Sequence, residues 1–330
     1  MPVPGTPRLL AAALCVLAIH LPAPLSGQVR AGARSAGQVA DSLAIAQLAR
    51  TLTAGVHTDS ARAAVLYEWT ARNLTYDVAG YLAGALTDAD AEEVWRSRTA
   101  ACGGYVALYQ RLAGEVGLRV EPVEGYAKGF DYRFGQSTKR PNHAWLALHL
   151  DGRWRLLDPT WGAGVVRDGR FEPAFTWDFF LADPEALVLS HFPAAQRWQL
   201  LAQPMSRAEF ERLPAVPRTL VHMGYAPAAI RNAVRHTRVR DFPLVGPQPG
   251  LRVLAAPVAG TLRRDQAVEV DLVWPGASDV ALVAGGVWTR LSRHGDRFRG
   301  SAAAPAGTIS VVGRRADSDA FVTALHWQVR

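Results

Sequence analysis

Apolar residues recur at two different periods along this chain, and the change between them divides it. Thr58-Asp59-Ser60 offers capping side chains ahead of a helix predicted over Ala61 to Asn73, with Val65, Leu66 and Trp69 on one side. Leu74-Thr75-Tyr76-Asp77 reads as an extended exit. A second helix opens at Cys102, where Tyr105, Leu108, Tyr109, Leu112 and Val116 fall three and four apart and Gly117 stands just past the end. The period then shortens. Arg119 to Tyr126 reads as a strand and Phe130 to Pro141 as a polar loop. His143 to Leu150 alternates, with Ala144, Leu146, Leu148 and Leu150 on one face. Asp151-Gly152 predicts a tight hairpin turn, with Arg153 to Asp158 as the return strand.

Either side of this block the pattern weakens. Residues 28–57 form a helical lead-in whose stripe is Leu43, Ala46, Gln47 and Arg50. From Phe171 to about Pro217 the chain is mixed, and Phe175, Trp177, Phe179, Phe180, Phe192 and Trp198 are expected to cover the core; Asp183-Pro184-Glu185 reads as a helix start. Residues 218–248, rich in arginine and proline, read as a linker. From Leu251 onward, Arg252 to Ala255, Val268 to Trp274, Val280 to Ala284, Thr308 to Gly313 and Phe321 to Val329 recur between turns. That is the pattern of an antiparallel, Ig-like β-sandwich over 249–330. The expected organisation is 1–27 signal peptide, 28–57 lead-in, 58–217 catalytic domain, 218–248 linker and 249–330 sandwich.

The signal peptide follows from Arg8, the apolar run Leu9 to Leu21, the breaks at Pro22 and Pro24, and the small residues Ser26 and Gly27. The run is short for a membrane span, and no later segment reaches one. Export to the periplasm or the extracellular space is therefore expected. The net charge of +7 and pI near 9.8 do not point to nucleic acid. Lys128 and Lys139 are the only lysines, and the arginines are scattered rather than blocked. An anionic cell-envelope partner stays open, through the overall field or the C-terminal domain.

Removal of the signal takes Cys15 with it and leaves Cys102 without a disulfide partner. A free thiol in an oxidising compartment is buried and inert, or it is used. Its place at a helix start favours use, because unpaired N–H groups and the positive helix end stabilise a thiolate. Gly103 and Gly104 each cost about 1 kcal/mol in helix propensity relative to alanine. That cost fits a close approach by substrate backbone, or a tight packing contact. His143 is the candidate base and Asp158 the group that orients it. With Asp151 and Gly152 as the two turn residues, Asp158 pairs with Trp145, one diagonal step from His143 on the same face. His191 is a rival that reads as structural, having no orienting acid in comparable register. Asp88, Asp90, Glu92 and Glu93 read as a helix start rather than a metal cluster.

The stretch from about Ser60 to Pro214 resembles the transglutaminase-like superfamily, and within it the kyphoscoliosis-peptidase branch. The resemblance rests on Ala64 to Trp69, Tyr76-Asp77, Cys102-Gly103-Gly104-Tyr105, Gly125 to Gly129, Asn142-His143-Ala144-Trp145 and Asp158 to Gly164. His191-Phe192-Pro193 and Trp198 to Leu201 extend it. It implies an α+β, papain-like fold in which a helix bearing the cysteine packs on an antiparallel sheet bearing the other two residues. The family triad maps onto Cys102, His143 and Asp158. It also implies thiol chemistry on a protein or peptide amide through an acyl-enzyme, with no cofactor. Hydrolysis is the expected outcome; amine transfer or deamidation, or a non-catalytic scaffold, are the alternatives. The backbone N–H of Cys102 is one oxyanion donor; Trp69 and Trp95 are candidates for the second.

Overall fold

The computed structural model describes residues 35–84, 90–137, 139–237 and 239–330. Helix α1 (Ala36–Leu52) starts at a Ser35–Gln38 capping box. It buries Ile45, Ala46 and Ala49, while Leu43 is exposed, so its apolar face is rotated from the expected stripe. Helix α2 (Asp59–Asn73) is capped by Thr58 and buries Ala63, Leu66, Tyr67, Thr70 and Ala71. The exit forms β1 (Thr75–Tyr76), followed by α3 (Val78–Leu82). Of the acidic group, Asp90 caps α4 (Ala91–Ser97), whose first turn holds Glu92 and Glu93; Asp88 lies outside the described residues. Next, β2 (Thr99–Ala100) pairs in parallel with β1 and leads into α5 (Cys102–Glu115).

Helix α5 packs Tyr105, Leu108, Tyr109 and Leu112 into the first core, all fully buried. Buried phenols need partners: Tyr105 donates to the Leu74 carbonyl at 2.9 Å and Tyr109 to that of Ala63 at 3.1 Å. Opposite lie β3 (Val120–Ala127), β4 (His143–Leu150) and β5 (Arg153–Leu157). Helix α6 (Pro159–Ala163) follows, then the hairpin β6 (Gly164–Arg167) and β7 (Arg170–Pro173), α7 (Pro184–Leu187) and β8 (His191–Pro193). The antiparallel sheet runs β5-β4-β3-β8. The expected hairpin register holds, since Leu150 pairs with Arg153 and Leu146 with Leu157. Asp158 stands one step beyond the ladder. Among the aromatics expected to cover this core, Trp177 is half exposed and lies on the Tyr67 ring.

Residues 218–248 depart from the linker expectation. They hold α9 (Arg218–His222) and α10 (Pro227–His236), preceded by α8 (Arg207–Arg212). Leu220, Met223, Ile230 and Val234 are buried in one cluster with the C-terminal strands. Of the prolines that suggested a connector, Pro227 opens α10, where a missing N–H costs nothing, while Pro243 and Pro247 lie beyond its end.

The C-terminal strands are β9 (Leu244–Val245), β10 (Arg252–Ala255), β11 (Thr261–Leu262), β12 (Ala267–Val273), β13 (Ala277–Ala284), β14 (Val287–Arg290), β15 (Ser292–His294), β16 (Arg297–Ala303), β17 (Gly307–Arg315) and β18 (Val322–Val329). They form two sheets, β10-β12-β16-β15 and β11-β18-β17-β13-β14, with β9 also on β18. Val270, Leu272, Trp274 and Phe298 of one sheet region and Leu282, Ile309, Leu325 and Trp327 of the other share a buried core.

Candidate active site

Four chain segments meet at one end of the first sheet: the start of β4, the end of β5, the end of β3 and the start of β8. Gly125 makes this possible. It pairs with His143 on one side and Pro193 on the other, and a Cβ there would lie 2.3 Å from the Phe192 carbonyl and 2.5 Å from the Trp145 ring. His143 opens β4 and His191 opens β8. They sit opposite Gly125 and Ala127 on β3, two residues apart, and so share a face of the sheet.

Asp158 is the hub. It is fully buried at the N-cap of α6. Oδ1 accepts the backbone N–H of Thr160 at 2.8 Å and of Trp161 at 3.1 Å. Oδ2 faces His143 Nε2 at 2.6 Å and His191 Nε2 at 3.1 Å. Burial alone would push this carboxyl up in pKa, but His143 and His191 reverse that and hold it below the usual carboxylate range. For His143, burial pulls the pKa down, and the charges of Asp158 and Cys102 together with their hydrogen bonds raise it well above the ordinary histidine value. His191 goes the other way, because burial dominates and His143 adds to it. A neutral His191 donates from Nε2 to Asp158 and accepts at Nδ1 from the Ser190 hydroxyl, 2.8 Å away.

Cys102 begins α5, whose first turn has no side-chain cap, so no capping side chain takes the N–H groups of Cys102 and Gly103. Burial raises the thiol, but the His143 charge and hydrogen bond and the Ala144 backbone N–H lower it further, and the net shift is downward. His143 Nε2 is committed to Asp158, which leaves Nδ1 for the thiol. All three residues singled out from the sequence therefore converge. At Gly103 no described atom beyond its chain neighbours and its own helix backbone lies within 4 Å of where a Cβ would stand, so packing against other segments does not demand glycine there.

A cleft of about 290 Å³ opens beside His143, walled by Tyr76, Tyr81, Phe130, Trp161, Val166 and Phe171 among others. Trp69 and Trp95 are not among its walls. Their rings stack on each other with 6.0 Å between centroids, and Arg98 lies over both.

Residues 46–159 match the Transglut_core family model, described as the transglutaminase-like superfamily. Over this stretch the chain is similar to the core domain of that superfamily. Human kyphoscoliosis peptidase is 34% identical over 179 residues, 53% of this chain and 27% of that protein. The Lim and transglutaminase domain protein ltd-1 of Caenorhabditis elegans is 29% identical over 183 residues, 51% of this chain and 25% of its own length. The chain thus spans about a quarter of these curated relatives. A solved structure described as that of a TGase aligns at 19% identity over 46% of this chain and 40% of its own, with a TM-score of 0.33. The resemblance to the kyphoscoliosis-peptidase branch holds, and the transglutaminase-like domain is an α+β core followed by a sheet-rich region.

Within that domain His191 corrects the sequence expectation. An acid does face it, because Asp158 serves both histidines. The ring is enclosed by Trp161 at 4.4 Å, Trp145 at 5.2 Å and Phe179 at 5.8 Å between centroids. The hairpin arithmetic could not find it, because β8 reaches β3 from more than sixty residues away. The signal that could have was the His191-Phe192-Pro193 run. His143, Asp158 and His191 also form the one group among the described residues that could hold a metal ion. Their nitrogens approach a single carboxylate oxygen at hydrogen-bonding distance, so each donor is already spent on another.

Proposed function

We propose that this chain is a thiol enzyme acting on amide bonds of proteins or peptides, with Cys102 as nucleophile, His143 as base and acid, and Asp158 as the group that orients His143. The observation that carries the reading is the buried His143 ring, bonded to Asp158 at 2.6 Å on Nε2 and coupled to Cys102 on its other side. Cys102 as thiolate attacks the carbonyl carbon, and the carbonyl electron pair moves to oxygen. The intermediate collapses, the C–N bond breaks, and the departing amine takes its proton from His143. Water, deprotonated by His143, then resolves the thioester. Asp158 keeps Nε2 protonated throughout and supports the positive ring. The open space over Gly103 gives a substrate backbone room to approach the helix start. The aromatic walls of the cleft favour an apolar side chain next to the scissile amide. The apolar run Leu9 to Leu21 and the small residues after it support an exported enzyme.

Two measurements test this. Iodoacetamide should alkylate Cys102 rapidly at about pH 6–7, well below the range of an ordinary thiol near 8.5. A profile that rises only near the ordinary value would favour a scaffold. A peptide pool incubated with the protein and a primary amine, read by mass spectrometry, should yield new termini that are absent with Cys102→Ala. Predominant amine adducts would make the enzyme a transferase instead.

A further inference from the structure

An attacked carbonyl needs two hydrogen-bond donors for its developing negative charge. The N–H groups at the start of α5 supply one side. Most other polar groups around the cleft are already committed. The Asn142 amide is spent on both the N–H and the C=O of Ala127, at 2.8 and 3.0 Å. The Lys128 ammonium donates to the carbonyls of Phe210 and Leu213, at 2.8 and 2.6 Å. The Tyr81 hydroxyl donates to Asp131 at 2.7 Å. The Thr160 hydroxyl has no partner, but it is sealed beneath the surface and cannot meet a substrate where it stands.

Tyr76 is different. It lies on β1, paired in parallel with β2, where Tyr76 is opposite Ala100 and Asp77 N–H bonds the Ala100 carbonyl at 3.0 Å. That pairing fixes Tyr76 alongside the two residues leading into Cys102. Its ring forms part of the cleft wall beside His143 and packs against Tyr81 at 6.2 Å. Among the described residues its hydroxyl has no hydrogen-bond partner, and it is not sealed off. We propose that the Tyr76 hydroxyl is the second oxyanion donor, closing on the substrate carbonyl oxygen from the side opposite the α5 N–H groups. The inference rests on the nucleophile assignment made above. Burial and then the Cys102 charge raise the Tyr76 pKa, which places the phenol near the thiol and keeps it protonated. In the step itself Cys102 Sγ bonds the carbonyl carbon, the π pair moves to oxygen, and Tyr76 donates a hydrogen bond to that oxygen while keeping its proton. When the C–N bond breaks, the pair returns to form the thioester carbonyl.

Two reactions of the same thiol separate this role from a general effect on Cys102. Acylation by p-nitrophenyl acetate passes through an oxyanion; alkylation by iodoacetamide does not. Both are followed on the full chain at one pH, for the wild type and Tyr76→Phe. Tyr76→Phe should slow acylation about 100-fold and leave alkylation within about twofold, which also reports that the variant is folded with its thiolate intact. Equal acylation in the two proteins would overturn the assignment. So would a parallel loss of both reactions, which would put Tyr76 on the thiol rather than on the oxyanion. A wild type that neither acylates nor alkylates below the ordinary thiol range would remove the nucleophile and this inference together.

Discussion

Asp158 in the first core and Asp271 in the second each hold a pair of basic side chains, and the pairs behave differently. Asp158 takes His143 and His191 on one oxygen, at 2.6 and 3.1 Å. Asp271, on β12 of the sandwich, takes Arg297 through two bonds of 2.8 and 2.6 Å and Arg299 at 3.2 Å. Both carboxyls lie below the usual range. For Asp158 burial opposes the shift and the histidines overcome it; for Asp271 the Arg297 hydrogen bond leads. The contrast is in the partners. The arginine side chains are 51% and 72% exposed and always charged, so their clasp holds strands without changing state. His191 is sealed from water, His143 is nearly buried and meets only the cleft, and either ring can gain or lose a proton. An acid with two cationic neighbours is therefore no signature by itself; burial and a titratable partner make it a candidate site.

The largest difference should appear on removing each charge. Asp158→Asn keeps one oxygen for the Thr160 and Trp161 N–H groups but turns the other acceptor into a donor facing two histidines. His143 must then switch tautomer or lose its partner. Amide turnover should fall about 10³–10⁴-fold, and the fold should lose about 3 kcal/mol, since a buried partner is left unmatched. Asp271→Asn leaves its arginines in water and should leave turnover unchanged. Kinetics with chemical denaturation of both variants would check this. A turnover loss below about tenfold for Asp158→Asn would sink the orienting role.

A subtler variant sharpens the comparison inside the first cluster. His191 does not reach the cleft, so its role is to position Asp158. His191→Ala removes one donor and leaves a void among Trp145, Trp161 and Phe179. Acylation should slow about tenfold, and His191→Gln, whose amide can donate to Oδ2, should recover most of it. If Gln is as slow as Ala while both are equally stable, the hydrogen bond to Asp158 is not what matters.

How much of the first cluster was readable follows from contact distance along the chain. His143 and Asp158 are fifteen residues apart across one tight turn, so alternation and the Asp151-Gly152 signal were enough to bring them together. Cys102 at a helix start was legible from capping logic and apolar spacing. His191 was not, because β3 and β8 pair over a distance that local pattern does not encode. Tyr76 was visible as an extended exit and as part of the family resemblance; the role proposed for it needs β2 beside it. Trp69 and Trp95, the candidates named from the sequence for the second oxyanion donor, stack on each other with Arg98 over both rings. The Asp271 clasp was invisible for a simpler reason. Its partner strand, Arg297–Ala303, carries arginines, a glycine and a serine where apolar alternation would announce a strand.

Acidity separates the two clusters next. The His143 pKa is raised on folding, so its contribution to stability is complete below the ordinary histidine value of about 6.5 and is lost as pH climbs through the folded value. Asp271 has a lowered pKa, so its contribution is present above about 3.9 and is lost only as pH falls further. The stability gap between wild type and His143→Gln should therefore shrink from about pH 6 to about pH 9. Over the same window the gap for Asp271→Asn should stay flat. Thermal melts at each pH would show this, and a flat His143→Gln series would mean the ring is not charged in the folded chain.

The smallest effect should come from Arg297→Ala. Arg299 lies directly opposite Asp271 in the β12–β16 register and keeps the carboxylate paired. Arg297 sits diagonally, opposite Val273, with half of its side chain in water. Exposed pairs contribute little because water screens them and the long side chain loses freedom when held. Its removal should move the thermal midpoint by less than about 2 °C and leave thiol alkylation untouched. The residual effect should shrink further in about 1 M salt, where charges are screened within roughly 3 Å. A large, salt-insensitive loss of stability would instead make the Asp271 cluster a structural keystone of the sandwich, and the contrast with Asp158 would then rest on chemistry alone rather than on burial.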